Sequence, residues 1–274
     1  MTTAIPHRIR ICYTEGCHVF EDYTIKDDKL CKTGTRIRTY DATQHPELPE
    51  VFANIPTGKV EALLQFARTY GNLGYLSLNF LECGCYFDDE PLTWIWAHIQ
   101  TVQLCLKLKQ YCDAQREAWV LDDILDTYRT QPSPQDPTTD AIRIAVLGQA
   151  TVMQLTRKPQ DSRYDFAQKI CHEIIRRNTK ELISRSRGAD GKTQSVLDYG
   201  SLIEVVYWHL SQMEQKPARQ CAYAQCGAWF IVHHRSQKYC PHPTEPGKDS
   251  PCARNDRQRR YRQEKRKKQQ GSTP

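Results

Sequence analysis

Cys221 and Cys226 are separated by four residues, and Cys240 and Cys252 follow further along the same segment. A stretch so rich in thiols has few ways to fold. Its apolar content is little more than Ala222, Tyr223, Trp229, Phe230, Ile231 and Val232. That is too little to offset the conformational entropy of ordering about fifty residues. Four thiolates suit a closed tetrahedral site, the geometry a structural zinc ion takes with sulfur ligands. Ion binding would supply the folding free energy that burial cannot. The spacing therefore predicts one structural zinc ion held by Cys221, Cys226, Cys240 and Cys252. The competing reading is four unligated, buried cysteines.

Local chemistry fits the first reading. Cys221 to Cys226 reads as a knuckle, with Gly227 where the backbone must turn tightly, and Ala228 to Val232 as a strand. Asp249 or Ser250 followed by Pro251 is a helix start, which puts Cys252 in the first turn of the last helix. Amide dipoles at a helix N-terminus favour a thiolate. The interval from Pro241 to Pro251 is rich in Pro, Gly and charge and can loop out. It also brings His242 near Cys240 as an alternative ligand. His233 and His234 read as surface residues.

Charge is concentrated in the same segment. The chain carries a formal net charge of +6. From Pro217 onward there are 13 Lys and Arg against 4 acids, a net of +9. Residues 1–216 hold 25 basic and 28 acidic residues, a net of −3. A confined basic segment points to a polyanionic partner, because Lys and Arg displace counterions from phosphates. A solvated tail is the bland alternative. On a helix starting at Cys252, Arg254, Arg257, Tyr261, Arg262, Lys265 and Lys268 fall near one face, with Arg259, Arg260, Arg266 and Lys267 off it. The candidate nucleic-acid contacts are Arg254, Arg257, Arg259, Arg260, Arg262, Lys265, Arg266 and Lys268. A zinc-anchored basic helix could enter a major groove, and DNA is the expected partner ahead of RNA, although the sequence does not identify base-reading residues.

The order Cys221-x4-Cys226, Trp229-Phe230, Lys238-Tyr239-Cys240, then Cys252-Ala253-Arg254-Asn255 leading into an Arg-rich helix resembles the CGNR-type zinc finger. The resemblance covers residues 219–268. Leu64 to Gly71 is also similar to a segment found in bacterial proteins with such fingers. The resemblance implies a treble-clef-like finger behind a helical domain, in a family regarded as bacterial transcription regulators. It differs from the namesake tetrapeptide at Ala253, Arg254 and Asn255.

The rest of the chain reads as mainly α. Expected are a small β-rich segment over 1–55, a helical domain over 56–216 and the finger with its basic helix over 217–270. Arg8 to Ile11 and Arg36 to Tyr40 alternate as strands do. Helical stripes follow: Val60 to Tyr70 with Gly71 as the stop, a helix from Pro91 through Leu106, Ala118 to Tyr128, Ile142 to Leu155, and Phe166 to Ile175. A polar turn is expected from Arg187 to Thr193. Ser195 with Asp198 reads as a capping box opening a helix through Leu202, Val206, Leu210 and Met213. Trp94, Trp96, Trp119 and Trp208 read as core. The helical domain is the place for a small-molecule effector or for self-assembly.

Enzyme signatures fail. Gly188 to Thr193 ends like a phosphate loop, but Ser186 stands where the first glycine belongs and the segment before it reads as helix. His172-Glu173-Ile174-Ile175-Arg176 lacks the second histidine of a zinc-protease helix. A non-catalytic protein is expected. No stretch is apolar enough for a membrane helix, and the N-terminus lacks a signal-peptide profile, so the expected setting is a reducing cytoplasm. Cys12, Cys17 and Cys31, with His18, echo the finger spacing and form a candidate second metal site. Cys105, Cys112 and Cys171 read as small apolar residues within helices. The alternative to a DNA regulator is an interaction protein whose zinc module is structural and whose basic tail binds RNA or an acidic protein.

Overall fold

A computed structural model describes residues 8–9, 17–74, 89–113, 118–130, 162–179, 183–187, 193–197, 201–213, 218–232, 236–241 and 249–270. The chain divides into two compact units, Met1–Glu214 and Gln215–Pro274.

In the first unit, β1 (Arg8–Ile9) is followed by a long hairpin of β2 (Cys17–Lys26) and β3 (Lys29–Tyr40). Asp27 and Asp28 turn the hairpin at φ 50° and 55°, as a two-residue turn that matches strand twist requires. A short 3-10 turn, Ala42–Gln44, leads to α1 (Leu48–Ala53) and α2 (Val60–Tyr70). β4 (Asp89–Pro91) adds to β3, giving the sheet order β2-β3-β4. The helices α3 (Leu92–Asp113), α4 (Ala118–Thr130) and α5 (Arg163–Asn178) follow. A second hairpin, β5 (Ile183–Arg187) with β6 (Thr193–Leu197), pairs with β1 in the order β1-β6-β5. The unit closes with α6 (Leu202–Gln212).

The core forms where the apolar stripes meet. α3 lies at its centre, packed on α1, α4 and α5, with Ile95, Ile99, Val102, Leu104 and Leu108 buried. Ile170 and Ile174 of α5 and Val205, Val206 and Leu210 of α6 are also buried. Of the polar groups taken into this core, His98, Thr101 and Glu90 are paired, as the cost of burying them demands, whereas Glu50 is not. His98 Nδ1 meets the Tyr207 hydroxyl at 3.0 Å, and Thr101 Oγ1 meets the Tyr128 hydroxyl at 3.1 Å. Burial holds His98 down to about 3, so its ring stays neutral. Glu90, fully buried, accepts from the Leu73 amide at 2.9 Å and from the Gly74 amide.

Several expectations hold and others are corrected. α2 ends at Gly71 as the pattern predicts, with φ 88° and ψ −176°. The helices over 92–113, 118–130 and 163–178 match their apolar stripes. The segment 1–55 falls in the same compact unit as the helices, Met1–Glu214. The first hairpin is tied to α2 by Tyr40, whose hydroxyl donates to the Tyr70 carbonyl at 2.7 Å, and by the Arg68–Asp22 ion pair at 2.8 Å. Sequence alternation misses β2 and most of β3, whose ladder is interrupted by bulges around Phe20.

The helix expected from Ser195 starts instead at Leu202, because Ser195 to Leu197 pair with β5 as strand. The segment before Gly188 is likewise strand, not helix. A capping box does exist, but at Ser162 and Asp165, where it opens α5. Trp94, Trp96 and Trp208 are half-buried, whereas Trp119 is 63% exposed. On α4 the buried side chains are Leu121, Leu125 and Tyr128, and helical geometry places Trp119 off that stripe. The stripe Ile142 to Leu155 lies outside the described residues. Among the described residues, no helix is long and apolar enough to cross a membrane.

The second unit holds the hairpin of β7 (Ala218–Gln220) and β8 (Trp229–Ile231), then α7 (Pro251–Gln270). Its core is small: Cys221, Phe230 and Val232 are buried, with Tyr223, Tyr239, Cys240 and Cys252 packed against them.

Candidate metal centre and basic helix

The knuckle forms directly after β7. The Cys221 amide donates to the Ala228 carbonyl at 2.8 Å, and the Cys226 amide to the Tyr223 carbonyl at 2.9 Å. Gly227 then takes φ 58°, the left-handed conformation that glycine adopts without a Cβ penalty. Cys240 is returned to the knuckle by the Ala222 amide, which donates to the Lys238 carbonyl at 2.9 Å, and by Arg219, which donates to the Gln237 carbonyl at 3.1 Å. Cys252 is the second residue of α7, in the first turn as the Ser-Pro signal predicts.

These four segments bring the four sulfurs together. All four Sγ atoms lie within 4.8 Å of one another. Cys226 and Cys240 are 3.9 Å apart, and Cys240 and Cys252 are 3.6 Å apart. A tetrahedral site with metal–sulfur bonds of about 2.3 Å has sulfurs about 3.8 Å apart. A disulfide would need about 2.05 Å, and all four cysteines are free thiols. The group could hold one metal ion, and both donor chemistry and spacing fit zinc. When bound, the ion would cross-link the knuckle, the segment that carries Cys240 and the helix start.

The thiols differ in acidity. Burial pushes Cys240 up to about 11, and burial with the neighbouring Cys240 and Cys226 pushes Cys252 far above the usual thiol range. For Cys226, burial also acts upward, but the Ala228 amide and the Cys252, Cys240 and Cys221 thiols hold it below the usual value.

Beyond its first turn α7 is exposed on most of its circumference. Among the cations, Arg254, Arg257, Arg259, Arg260, Arg262 and Lys265 are all exposed, and Arg266 and Lys268 continue the same helix. Asp256 is the exception at 2% exposed. It accepts from the Tyr239 hydroxyl at 2.8 Å, from Arg259 at 3.1 Å and from Arg260 at 2.8 Å. The Tyr239 hydrogen bond, followed by Arg260 and Arg259, holds its carboxyl below the usual carboxylate range despite burial. Arg257 pairs with Asp249. Sequence reasoning overlooked Asp256, although an acid three and four residues ahead of two arginines is a legible helical ion-pair pattern.

Among the described residues of the other candidate site, Cys17 and Cys31 do not come together. Cys17 is opposite Tyr40 in the hairpin ladder, whereas Cys31 is opposite Thr24 near the turn. At about 3.3 Å per residue the two thiols stand roughly 20 Å apart, too far for one ion. Cys12 and His242 lie outside the described residues. Cys17 is instead a half-buried thiol, pushed up to about 12 by burial and by Asp41. Cys105 and Cys171 are buried in the helical core and Cys112 is half-buried, as small apolar residues would be. His172 to Arg176 lies within α5, where Glu173 pairs with Arg176 and Arg177.

Compared with known proteins, the chain matches no family model, no curated protein and no solved structure.

Proposed function

We propose that the chain is a non-catalytic, zinc-anchored nucleic-acid-binding protein that acts on duplex DNA as a transcription regulator. The observation that carries the reading is the joining of two features at one residue pair. The four-sulfur cluster ends on Cys252, and two residues later the exposed cationic series of α7 begins at Arg254. A bound ion would fix the start of that helix, so the cations would be presented in a set direction rather than on a loose tail. The hairpin, the knuckle and a helix supplying the last ligand favour a treble-clef-like finger. They also favour kinship with the CGNR-type family and its bacterial, cytoplasmic setting.

The helical part of the first unit is the place for an effector or for assembly. A groove of about 320 Å³ there is lined by Leu108, Lys109, Cys112, Gln168, His172 and Met213, among others. It offers an apolar floor, a cation and hydrogen-bonding groups.

The test is selection of genomic duplex fragments by the full-length protein at about 0.15 M salt, with binding then followed against salt. Specific enrichment and a steep salt slope are expected, because each phosphate contact releases condensed counterions. No enrichment over random sequence would remove the regulator reading.

A further inference from the structure

We infer that Arg254, Gln258 and Tyr261 form the base-contacting line of α7, with Lys265 at the end of that line and Arg262 beside it on phosphates, and that Arg259 and Arg260 are withheld from the bases. This rests on the duplex-DNA reading above.

The geometry divides the helix into two sides. Arg254, Gln258, Tyr261 and Lys265 recur at i, i+4, i+7 and i+11, a spacing that stacks side chains along one face. All four are exposed, Tyr261 at 68%. Among the described residues no ion pair engages Arg254, Arg262 or Lys265. Asp256 follows Arg254 by two residues and so lies about 200° round the helix, on the opposite side. There it is buried and holds Arg259 and Arg260 by their guanidinium groups. The same carboxylate that accepts from Tyr239 therefore removes two of the cations from the free face.

The free face points to duplex DNA among polyanions. A helix of 20 residues is about 30 Å long, and its width fits the B-form major groove. The narrow major groove of A-form RNA does not admit one. Single strands are bound through a series of aromatic platforms, and Tyr261 is the one aromatic residue of α7. Within a major groove, Arg254 can pair with guanine O6 and N7, and Gln258 with adenine N6 and N7. The Tyr261 ring offers apolar contact to a thymine methyl group.

The test uses the full-length, zinc-loaded protein and a pool of 25-base-pair duplexes with randomised centres. Zinc content and circular dichroism of each variant serve as the folding control. Arg254→Ala and Gln258→Ala are each expected to relax preference at one base position by about tenfold. Tyr261→Ala should relax an adjacent position. Arg259→Ala with Arg260→Ala should preserve the selected sequence. If the wild type selects a sequence that the three face variants bind equally well, the assignment is overturned while DNA binding stands. A changed base preference in the Arg259/Arg260 variant overturns it equally. Tighter binding of single-stranded 25-mers than of duplexes would also overturn it. A wild type that selects no duplex at all removes the underlying reading first.

Discussion

The Tyr239 hydroxyl donates to the Asp256 carboxylate at 2.8 Å, and so ties the residue before one cysteine of the cluster to the second turn of the basic helix. This bond spans 17 residues of sequence and runs parallel to the cluster itself. It gives α7 a second anchor besides Cys252. Two anchors on a helix restrict its direction far more than one does.

Tyr239→Phe is accordingly expected to leave the metal content unchanged while loosening the helix. Asp256 would remain buried with one donor fewer, a loss of a charge-assisted hydrogen bond. The unfolding midpoint of the second unit should fall by roughly 5 °C. Scanning calorimetry with elemental analysis on the same sample checks both halves. Loss of the metal in this variant would mean that the bond supports the cluster rather than the helix.

The metal is expected at close to one ion per chain by elemental analysis. A strong chelator should unfold the second unit, because its apolar core is confined to a few side chains and metal binding would supply its folding energy. The first unit has its own core and should keep its helical signal. Cys226→Ser and Cys240→Ser should act as the chelator does. A second unit that stays folded without metal, shown by retained amide protection over 218–265, would remove the metal from the account of its folding.

Glu50 sets a pH dependence in the first unit. It is 5% exposed and neither carboxyl oxygen has a hydrogen-bond partner. Burial, reinforced by Glu47 and opposed by its own amide, pushes it up to about 8. The folded state thus holds a proton that the unfolded chain releases near pH 4.5. Below that pH both states are protonated and Glu50 has no effect. Stability falls as pH rises from there towards 8, by an amount on the order of a few kcal/mol. Glu50→Gln should flatten this fall and raise the midpoint at pH 8. An unchanged pH profile in thermal melts would show that Glu50 is not its source.

Gly71 is expected to tolerate no side chain. Its φ of 88° is a glycine conformation, and a Cβ there would stand 2.3 Å from the His18 carbonyl oxygen. That oxygen belongs to β2, so relief requires moving the hairpin relative to the end of α2. Gly71→Ala should cost about 2 kcal/mol or more, read from denaturant midpoints. Gly58 also has positive φ, at 79°, but a Cβ there would meet nothing within 4 Å. Gly58→Ala should therefore cost less, which separates the clash from the backbone preference.

The two hairpins show where sequence pattern stops being enough. Ser195-Val196-Leu197 and the Leu202 stripe are close enough to read as one helix, yet the first pairs with Ile183 to Arg187 as strand. Nothing local distinguishes the outcomes, because the strand is stabilised by its partner and not by its own propensity. The same reason conceals β2, whose ladder with β3 is bulged and so breaks the period of two.

The sequence by itself determined the helical stripes of α2 to α5, the knuckle with its glycine, and the four thiols. Each of these depends on spacing within a few residues, or on a donor set whose chemistry is independent of the path between its members. It also determined the concentration of positive charge in α7. Tertiary structure alone decided the burial of Asp256, against which Tyr239 is folded; its pairing with Arg259 and Arg260 follows helical spacing. It also decided that Cys17 and Cys31, close in sequence and alike in chemistry, lie at opposite ends of a hairpin. Ligation and ion pairing require atoms a few ångströms apart, and only chain pairing sets those distances.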